Sequence, residues 1–233
     1  MEHKHRNVRI IFDGLIGAGK STLLHAVKDY LEKETDFGER YDVCVVYENV
    51  AEWIGDGSLE FSYQNPKRGV FPLQIKSMLS KCPSEEDPSQ CLQSKPTFYL
   101  TERSEYSAHF IFGEMHFEQG NMTSHEWKLC EKIYQTFTKK IDYCYFLQVN
   151  PELAMERLTK RGRDAEKGVP LTYMEQLDRK YREHFPNRVP FPCYFVNGDR
   201  TIDEIAREVG KHIYSLGGDF HTEDKIENEG KKC

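Results

Sequence analysis

Gly14-Leu15-Ile16-Gly17-Ala18-Gly19-Lys20-Ser21-Thr22 matches the pattern G-x-x-x-x-G-K-S/T of a phosphate-binding loop. An apolar, β-branched run at 8–12 precedes it, and apolar residues recur at helical spacing over 23–31. The loop thus lies between a predicted strand and a predicted helix, where glycine N–H groups and the helix N-terminus together bind phosphate. We expect these nine residues to bind ATP or GTP, with Lys20 at the β- and γ-phosphates and Ser21 on Mg²⁺.

The composition is typical of a soluble globular domain: 233 residues, of which 30% are charged and 12% aromatic. The net charge of −6 and the lack of a long basic run argue against a nucleic acid partner. No long apolar span indicates a membrane segment, and the polar residues 1–6 carry no targeting signal, so we expect a cytoplasmic protein. The seven scattered cysteines form no C-x-x-C pair, which argues against a zinc site and favours free thiols over a Cys82–Cys91 disulfide.

Strand-like and helical patterns alternate along the chain, which predicts an α/β fold with a parallel sheet covered by helices on both faces. The predicted strands are 8–12, 43–47, 97–100, 143–149 and 193–196. The predicted helices are around 21–34, 71–81, 104–119, 124–139, 152–160, 171–184 and 202–215. We expect one domain over 1–216, with a polar insertion at about 82–96 and a disordered tail over 217–233. Ligands of such sheets bind beyond the carboxyl ends of the strands.

A carboxylate follows the second strand at the end that faces the phosphate loop. Glu48 is placed there to orient an attacking hydroxyl and to accept its proton, because phosphoryl transfer depends mainly on positioning and electrostatic stabilisation. Glu52 competes for the same role one turn later in the chain. A solvated turn carboxylate is the simpler interpretation of Glu48.

The third strand is followed by a second acidic residue and an arginine, Glu102-Arg103. Glu102 can hold Mg²⁺ directly or through water. Arg103 offers a planar guanidinium to a phosphate or to the hydroxyl that becomes phosphorylated. The alternative is a structural Glu–Arg pair that caps the following helix.

Three arginines follow the fourth strand. Arg157 and Arg161 are four residues apart and share one helix face, and Arg163 comes after Gly162, where the helix ends. They predict a lid over about 161–168 that neutralises the phosphate charge of ATP as the site closes. A solvated helix face is the alternative.

In combination, these motifs resemble the deoxyribonucleoside kinase family, from the phosphate loop to about Phe185. Glu48-Asn49-Val50-Ala51-Glu52-Trp53 resembles the family's Glu-Pro-Val-x-x-Trp, whose first Glu is the catalytic base. Glu102-Arg103-Ser104-x-x-Ser107 resembles its Glu-Arg-Ser-x-x-Ser signature, and Arg157-x-x-x-Arg161-x-Arg163, Glu166 and Val169-Pro170-Leu171-x-Tyr173 resemble its lid. The resemblance implies a P-loop kinase fold with a five-stranded parallel sheet, and a homodimer formed through helices 104–119 and 124–139.

The resemblance also implies a pocket for the nucleoside base. Gln74 would pair with the base through its amide, which offers both a donor and an acceptor. Phe112 would stack on the base, Trp53 would form a wall of the pocket, and Phe71 would be a neighbour. Read without the family pattern, Phe71 and Phe112 are ordinary core residues.

Sugar and base preference follow from the same resemblance. Tyr63 and Glu166 would hold the 3′-hydroxyl, which implies deoxyribose. Relatives that favour deoxycytidine or purines carry an Asp at the position of Ala108, paired with an Arg at the position of Lys81; here Ala108 leaves room for the 5-methyl group of thymidine. Lys81 departs from the family pattern and is expected to point towards the 82–96 insertion, because a buried unpaired ammonium is costly. Asn49 replaces the usual proline.

The predicted activity is that of a deoxynucleoside 5′-kinase, which converts ATP and a deoxynucleoside to ADP and a deoxynucleoside monophosphate, with pyrimidines favoured. Two alternatives remain open. The first is a nucleoside monophosphate kinase such as thymidylate kinase, although such enzymes carry Asp-Arg-Tyr where this chain has Glu102-Arg103-Ser104. The second is a nucleotide-binding subunit that has lost the chemistry.

Overall fold

Five parallel strands form one sheet in the part of the chain that the structure, a computed structural model, describes: residues 7–81 and 95–229, with side chains to 218. The sheet order is β2-β3-β1-β4-β5, and every neighbouring pair is parallel. The strands are β1 (Val8–Gly14), β2 (Asp42–Val46), β3 (Thr97–Glu102), β4 (Tyr143–Gln148) and β5 (Cys193–Asn197). The predicted α/β class with a five-stranded parallel sheet is confirmed.

Helices surround this sheet. They are α1 (Lys20–Lys33), α2 (Phe37–Arg40), α3 (Val50–Gly55), α4 (Ser58–Gln64), α5 (Pro66–Leu79), α6 (Glu114–Glu118), α7 (Ser124–Phe137), α8 (Pro151–Arg161), α9 (Leu171–His184) and α10 (Ile202–Glu229). A π-helix, Ser107–Gly113, precedes α6, and a 3₁₀ turn, Asp164–Glu166, follows α8. None of the described helices is both long and apolar enough to cross a membrane.

The register of the central strands places the functional residues at one edge of the sheet. Ile10 and Phe12 in β1 are fully buried, because both faces of a central parallel strand are covered. Phe12 lies beside Glu102 of β3, and Gly14 lies beside Leu147 of β4. The carboxyl ends of β1 and β3 therefore place the phosphate loop next to Glu102.

The short helices on either side of β2 were not predicted from the sequence. Helices α2, α3 and α4 contain four, six and seven residues, too few turns for a periodic apolar pattern to show. The predicted helix over 104–119 contains the π-helix Ser107–Gly113. Gly113, the last residue of the π-helix, leaves room for its close neighbours: a Cβ there would lie 3.2 Å from the Ala108 carbonyl oxygen and 3.3 Å from the Trp127 ring.

Helix α10 continues to Glu229, where a disordered tail was expected from Gly217 onwards. Gly217 does not end the helix, because it is a packing contact: a Cβ there would lie 2.7 Å from the ring of Phe37. The Tyr41 hydroxyl also donates a 2.5 Å hydrogen bond to the Gly217 carbonyl oxygen. Residues 230–233, and 82–94 of the predicted insertion, lie outside the described residues.

The cysteines follow the expectation of free thiols only in part. Cys130, Cys144 and Cys193 are free, whereas Cys44 in β2 is disulfide-bonded, so the expectation is wrong for Cys44. The spacing of isolated cysteines carries no information about pairing in the fold. Cys82 and Cys91 lie outside the described residues.

Candidate active site

The phosphate loop joins the end of β1 to the start of α1 and has the backbone that its glycines predict. Gly17 has a φ of +80°, and a Cβ there would collide with the carbonyl oxygen of Ala154 in α8, so glycine is required. Lys20 begins α1 and is buried; its ammonium donates to the carbonyl oxygens of Leu15 at 2.9 Å and Gly14 at 3.3 Å. Burial, reinforced by the Arg103 charge, lowers the pKa of Lys20 to about 8 despite nearby carboxylates.

A cavity of about 310 Å³ opens beside this loop. It brings together fourteen of the residues predicted to bind ATP, substrate or metal: Ile16, Gly17, Lys20, Ser21, Glu48, Trp53, Tyr63, Gln74, Glu102, Arg103, Phe112, Arg161, Arg163 and Glu166. The predicted residues that do not line it are Gly14, Leu15, Ala18, Gly19, Thr22, Phe71, Ala108 and Arg157. The cavity therefore connects the phosphate loop with residues from the ends of β2 and β3 and with the lid.

Glu48 lies between two buried cations. Its Oε2 accepts a hydrogen bond from Nη1 of Arg103, and its Oε1 lies 3.4 Å from Nζ of Lys81. Burial by itself would raise the pKa of Glu48, but Arg103, Lys81 and Lys20 outweigh it and lower the pKa to about 2. Glu52, the competing carboxylate, is exposed and accepts a hydrogen bond from Asn49 instead.

Arg103 adopts a left-handed backbone with a φ of +59°, an unfavourable conformation for a residue with a Cβ. Its backbone N–H donates to the Phe12 carbonyl oxygen at 2.9 Å, which holds this turn against the end of β1. The turn directs the guanidinium between Glu48 and Asp13, whose Oδ1 lies 4.0 Å from Nε of Arg103. The strained backbone thus places the Arg103 guanidinium at the centre of the site. A structural Glu–Arg pair that only caps the following helix would not require this strain.

The side chains proposed to bind Mg²⁺ are in direct contact. Ser21 donates a 2.9 Å hydrogen bond to Oε2 of Glu102, and Oε1 of Glu102 lies 3.9 Å from Nζ of Lys20. The contact exists because α1 begins in front of the carboxyl end of β3, where Glu102 is the last strand residue. This hydroxyl and carboxylate form an oxygen donor set of the kind that Mg²⁺ prefers.

Two of the arginines predicted to form the lid pair with Glu166, the carboxylate predicted to hold the sugar. Helix α8 ends at Arg161, and Gly162 turns the chain with a φ of +69°. Oε2 of the buried Glu166 accepts a 2.5 Å hydrogen bond from Arg161, and its Oε1 lies 3.5 Å from Nη1 of Arg163. Arg157 was predicted to join these arginines at ATP, but its guanidinium is held by backbone oxygens behind the phosphate loop, at 3.2 Å from Ala18 and 3.0 Å from Gly198.

The opposite end of the cavity is largely aromatic. Trp53 on α3 is buried, and the ring of Phe112 lies under the Arg103 guanidinium at 5.0 Å. Nε2 of Gln74 donates to the Ala108 carbonyl oxygen, a bond that leaves the amide oxygen and the second N–H for a ligand. Phe71 was predicted to neighbour the base and Ala108 to leave room for it, but neither lines the cavity; both pack in an apolar cluster with Val70, Met78, Met122 and Cys130.

Comparison with known proteins agrees with this geometry. A family model for deoxynucleoside kinases matches residues 10–215. Deoxycytidine kinase 2 of Gallus gallus is 29% identical over 237 residues, which covers 86% of each chain. Deoxycytidine kinase of Homo sapiens is 28% identical over 207 residues, 77% of this chain and 76% of the human one. The chain belongs to the deoxynucleoside kinase family.

Membership of the deoxynucleoside kinase family confirms the predicted resemblance and the predicted ATP-dependent kinase. The residues matched by the family model include the phosphate loop, Glu48, Glu102-Arg103 and the predicted lid.

Several residues of this deoxynucleoside kinase site were missed in the sequence. Asp13 is fully buried under the loop, where burial raises its pKa and its Oδ1 accepts hydrogen bonds from Tyr181 at 2.8 Å and Gly14 N–H at 2.9 Å. A charged residue in an apolar strand was the available signal. His116 and Tyr173 line the cavity, with His116 Nε2 at 3.5 Å from the Tyr173 hydroxyl. Tyr173 had been named only as part of the lid motif, and Lys81 only as a departure from the family pattern that was expected to point towards the insertion.

Proposed function

We propose that this kinase transfers the γ-phosphate of ATP to the 5′-hydroxyl of a deoxynucleoside, with thymidine and deoxycytidine as the favoured acceptors. The observation that carries the proposal is the position of Glu48: an ionised carboxylate, oriented by Arg103, that lines the same cavity as Lys20. A hydroxyl placed between Glu48 and the phosphate loop has a proton acceptor on one side and the γ-phosphate on the other.

The chemistry would proceed through this chain's own side chains. Glu48 orients the 5′-hydroxyl and accepts its proton as the oxygen bonds to the γ-phosphorus and the bond to the ADP oxygen breaks. Because the transition state is loose, a carboxylate with a pKa of about 2 serves mainly to orient the hydroxyl and takes the proton late. Arg103 and Lys20 stabilise the charge on the transferring group.

The lid supplies the remaining positive charge. We assign Arg161 and Arg163 to the phosphates and Glu166, with Tyr63, to the 3′-hydroxyl of the sugar. In the structure Glu166 pairs with both arginines. The phosphates of ATP would therefore compete with Glu166 for the arginines, and the sugar would compete with the arginines for Glu166. Burial raises the pKa of Tyr63 well above its usual value, which keeps its phenol a neutral donor.

Ser21 and Glu102 are the residues we assign to Mg²⁺, since their oxygen atoms form a suitable donor pair at the phosphate loop. A bound Mg²⁺ ion would neutralise phosphate charge and orient the ATP chain. This assignment rests on the chemistry of the two side chains and on their contact.

A homodimer is the proposed assembly, formed through the π-helix, α6 and α7. Helix α7 exposes Leu129 at 47% and Phe137 at 45% of their surfaces, which supports an apolar contact there. Light scattering of the purified protein would test it: a mass near 55 kDa, about twice 27.3 kDa, is expected, and a monomer mass would contradict it.

The acceptance of thymidine is supported by the lack of an acidic side chain at Ala108, whose backbone carbonyl oxygen accepts a hydrogen bond from the Gln74 amide. The test is a comparison of kcat/KM for the four deoxynucleosides and thymidine monophosphate at fixed Mg-ATP. Thymidine or deoxycytidine should lead, and a purine preference would refute the argument from Ala108. Phosphorylation of the monophosphate alone would identify a nucleoside monophosphate kinase, and ATP binding without any turnover would identify a silent subunit.

A further inference from the structure

Lys81 contacts Glu48 and Glu102 beside the cavity, although the sequence predicted that it points towards the insertion. Its side chain is only 4% exposed, and its ammonium lies 3.4 Å from Oε1 of Glu48 and donates to the Glu102 carbonyl oxygen at 3.3 Å. The sequence argument against burial assumed an unpaired ammonium. The structure supplies the missing partners, because both β2 and β3 end beside this lysine.

The two oxygens of Glu48 are divided between two cations. Arg103 holds Oε2 with a close hydrogen bond, while Lys81 donates a longer hydrogen bond, 3.4 Å, to Oε1. Arg103 therefore fixes the carboxylate, and Oε1 is the oxygen with the weaker attachment. Oε1 is consequently the one available to an incoming hydroxyl.

Lys81 also connects Glu48 to the helix that carries the base-binding amide. The N–H of Lys81 bonds to the Met78 carbonyl oxygen at 3.3 Å, which ties the turn containing Lys81 to the end of α5. Gln74 lies within α5, and Lys81 lies in the turn that directly follows the end of this helix at Leu79. A shift of α5 as a base binds to Gln74 would move the Lys81 ammonium against Glu48.

We propose that Lys81 is a positioning residue for phosphoryl transfer, which directs Oε1 of Glu48 to the 5′-hydroxyl and couples that oxygen to helix α5. This inference rests on the proposed function. When the hydroxyl donates its hydrogen bond to Oε1, Lys81 keeps the Glu102 carbonyl oxygen as an acceptor, so its ammonium is not left without a partner. Lys81 acts through Glu48 and not on the substrate.

The first test compares two substitutions of Lys81 with a matched control. Lys81→Met removes the charge and should lower kcat about 10- to 100-fold with less than about a threefold change in the KM for thymidine, because misplaced groups cost rate more than binding. Lys81→Arg keeps the charge and should recover most of that loss. Lys67→Met removes an exposed lysine from the same helix and should leave kcat unchanged.

The second test asks whether Lys81 acts through Glu48. In a Glu48→Gln background, measured in single turnovers with excess enzyme, Lys81→Met should change the rate by less than about twofold, because coupled residues are not additive. The melting temperature reports whether each variant folds. Thymidine binding measured without ATP reports whether the pocket is intact, independently of catalysis. If Lys81→Met does not fold, Lys81→Gln, which can still donate to the Glu102 carbonyl oxygen, takes its place.

The outcomes separate the two proposals. An unchanged kcat for Lys81→Met in an active enzyme, or an equal loss in wild-type and Glu48→Gln backgrounds, would overturn the role of Lys81 and leave the kinase assignment standing. A parallel loss of thymidine binding and kcat, with no recovery in Lys81→Arg, would show a packing role only. Wild-type protein that phosphorylates no deoxynucleoside would overturn the proposed function itself.

Discussion

The hydroxyl of Ser21 donates a 2.9 Å hydrogen bond to Oε2 of Glu102, joining the first turn of α1 to the last residue of β3. These two residues are 81 positions apart in the sequence and meet because β1 and β3 are adjacent in the sheet. The contact brings a neutral and an anionic oxygen ligand to the edge of the phosphate loop. It is the basis for the metal assignment and leads to the first prediction.

Substitution of Glu102 should weaken the response to Mg²⁺. Loss of a carboxylate that binds or orients the ion typically costs about 10- to 100-fold in metal affinity. We expect Glu102→Gln to raise the Mg²⁺ concentration for half-maximal activity by that order, measured by Mg²⁺ titration at saturating ATP and thymidine. An unchanged Mg²⁺ dependence would remove Glu102 from the metal site.

Substitution of Glu48 should abolish most of the activity while leaving binding intact. Glu48→Gln keeps the shape of the side chain but cannot accept the proton, so we expect kcat to fall by about 10²- to 10⁴-fold. Glu52→Gln is the matched control, because Glu52 lies four residues away and is exposed. Steady-state rates with thymidine measure both. Equal losses in the two variants would contradict the assignment of Glu48.

The pairing of Glu48 also predicts how stability changes with pH. The folded protein lowers the pKa of Glu48 from 4.5 to about 2, so its contribution to stability is present above pH 4.5 and is lost as the pH falls towards 2. The deficit in unfolding free energy of Glu48→Gln should therefore shrink by about 1 kcal/mol between pH 6 and pH 3.5. Urea unfolding at the two pH values measures it, and a constant deficit would speak against the buried ion pairs.

Recognition of the sugar should depend on Glu166. This buried carboxylate is assigned to the 3′-hydroxyl, and removing a charged hydrogen-bond partner costs about 1.5–3 kcal/mol. Glu166→Gln should thus raise the KM for thymidine about 10- to 100-fold and reduce the discrimination against 3′-deoxythymidine. Asp164→Asn, an exposed position in the same turn, is the control. Retained discrimination in Glu166→Gln would assign the hydroxyl to another residue.

Much of the fold could be predicted because its signals are local. The phosphate loop is a contiguous motif, and β1 and α1 flank it with long apolar patterns, so the sequence sufficed for the sheet and the major helices. Helices α3 and α4 carry Trp53 and Tyr63 into the cavity but are too short for a periodic pattern. The continuation of α10 past Gly217 depends on the rings of Phe37 and Tyr41, which lie 176 or more residues away.

The site residues likewise divide into those that could be predicted from local sequence and those that could not. Glu48, Glu102 and Arg103 were found because residues at the ends of parallel strands converge, and this requires only the strand order. The left-handed backbone of Arg103 and the pairing of Lys81 with Glu48 were not predictable, since both depend on contacts with residues distant in the sequence. Arg157 shows the converse: its helical spacing suggested a lid residue, but its guanidinium binds the backbone of Ala18.

Product analysis tests the central claim most directly. Wild-type protein is incubated with Mg-ATP and thymidine or deoxycytidine, and the products are identified by ³¹P NMR. We expect a single new phosphomonoester, the 5′-monophosphate, in amounts equal to the ADP formed. ADP with inorganic phosphate only, or a phosphate on any position other than the 5′-oxygen, would contradict the account.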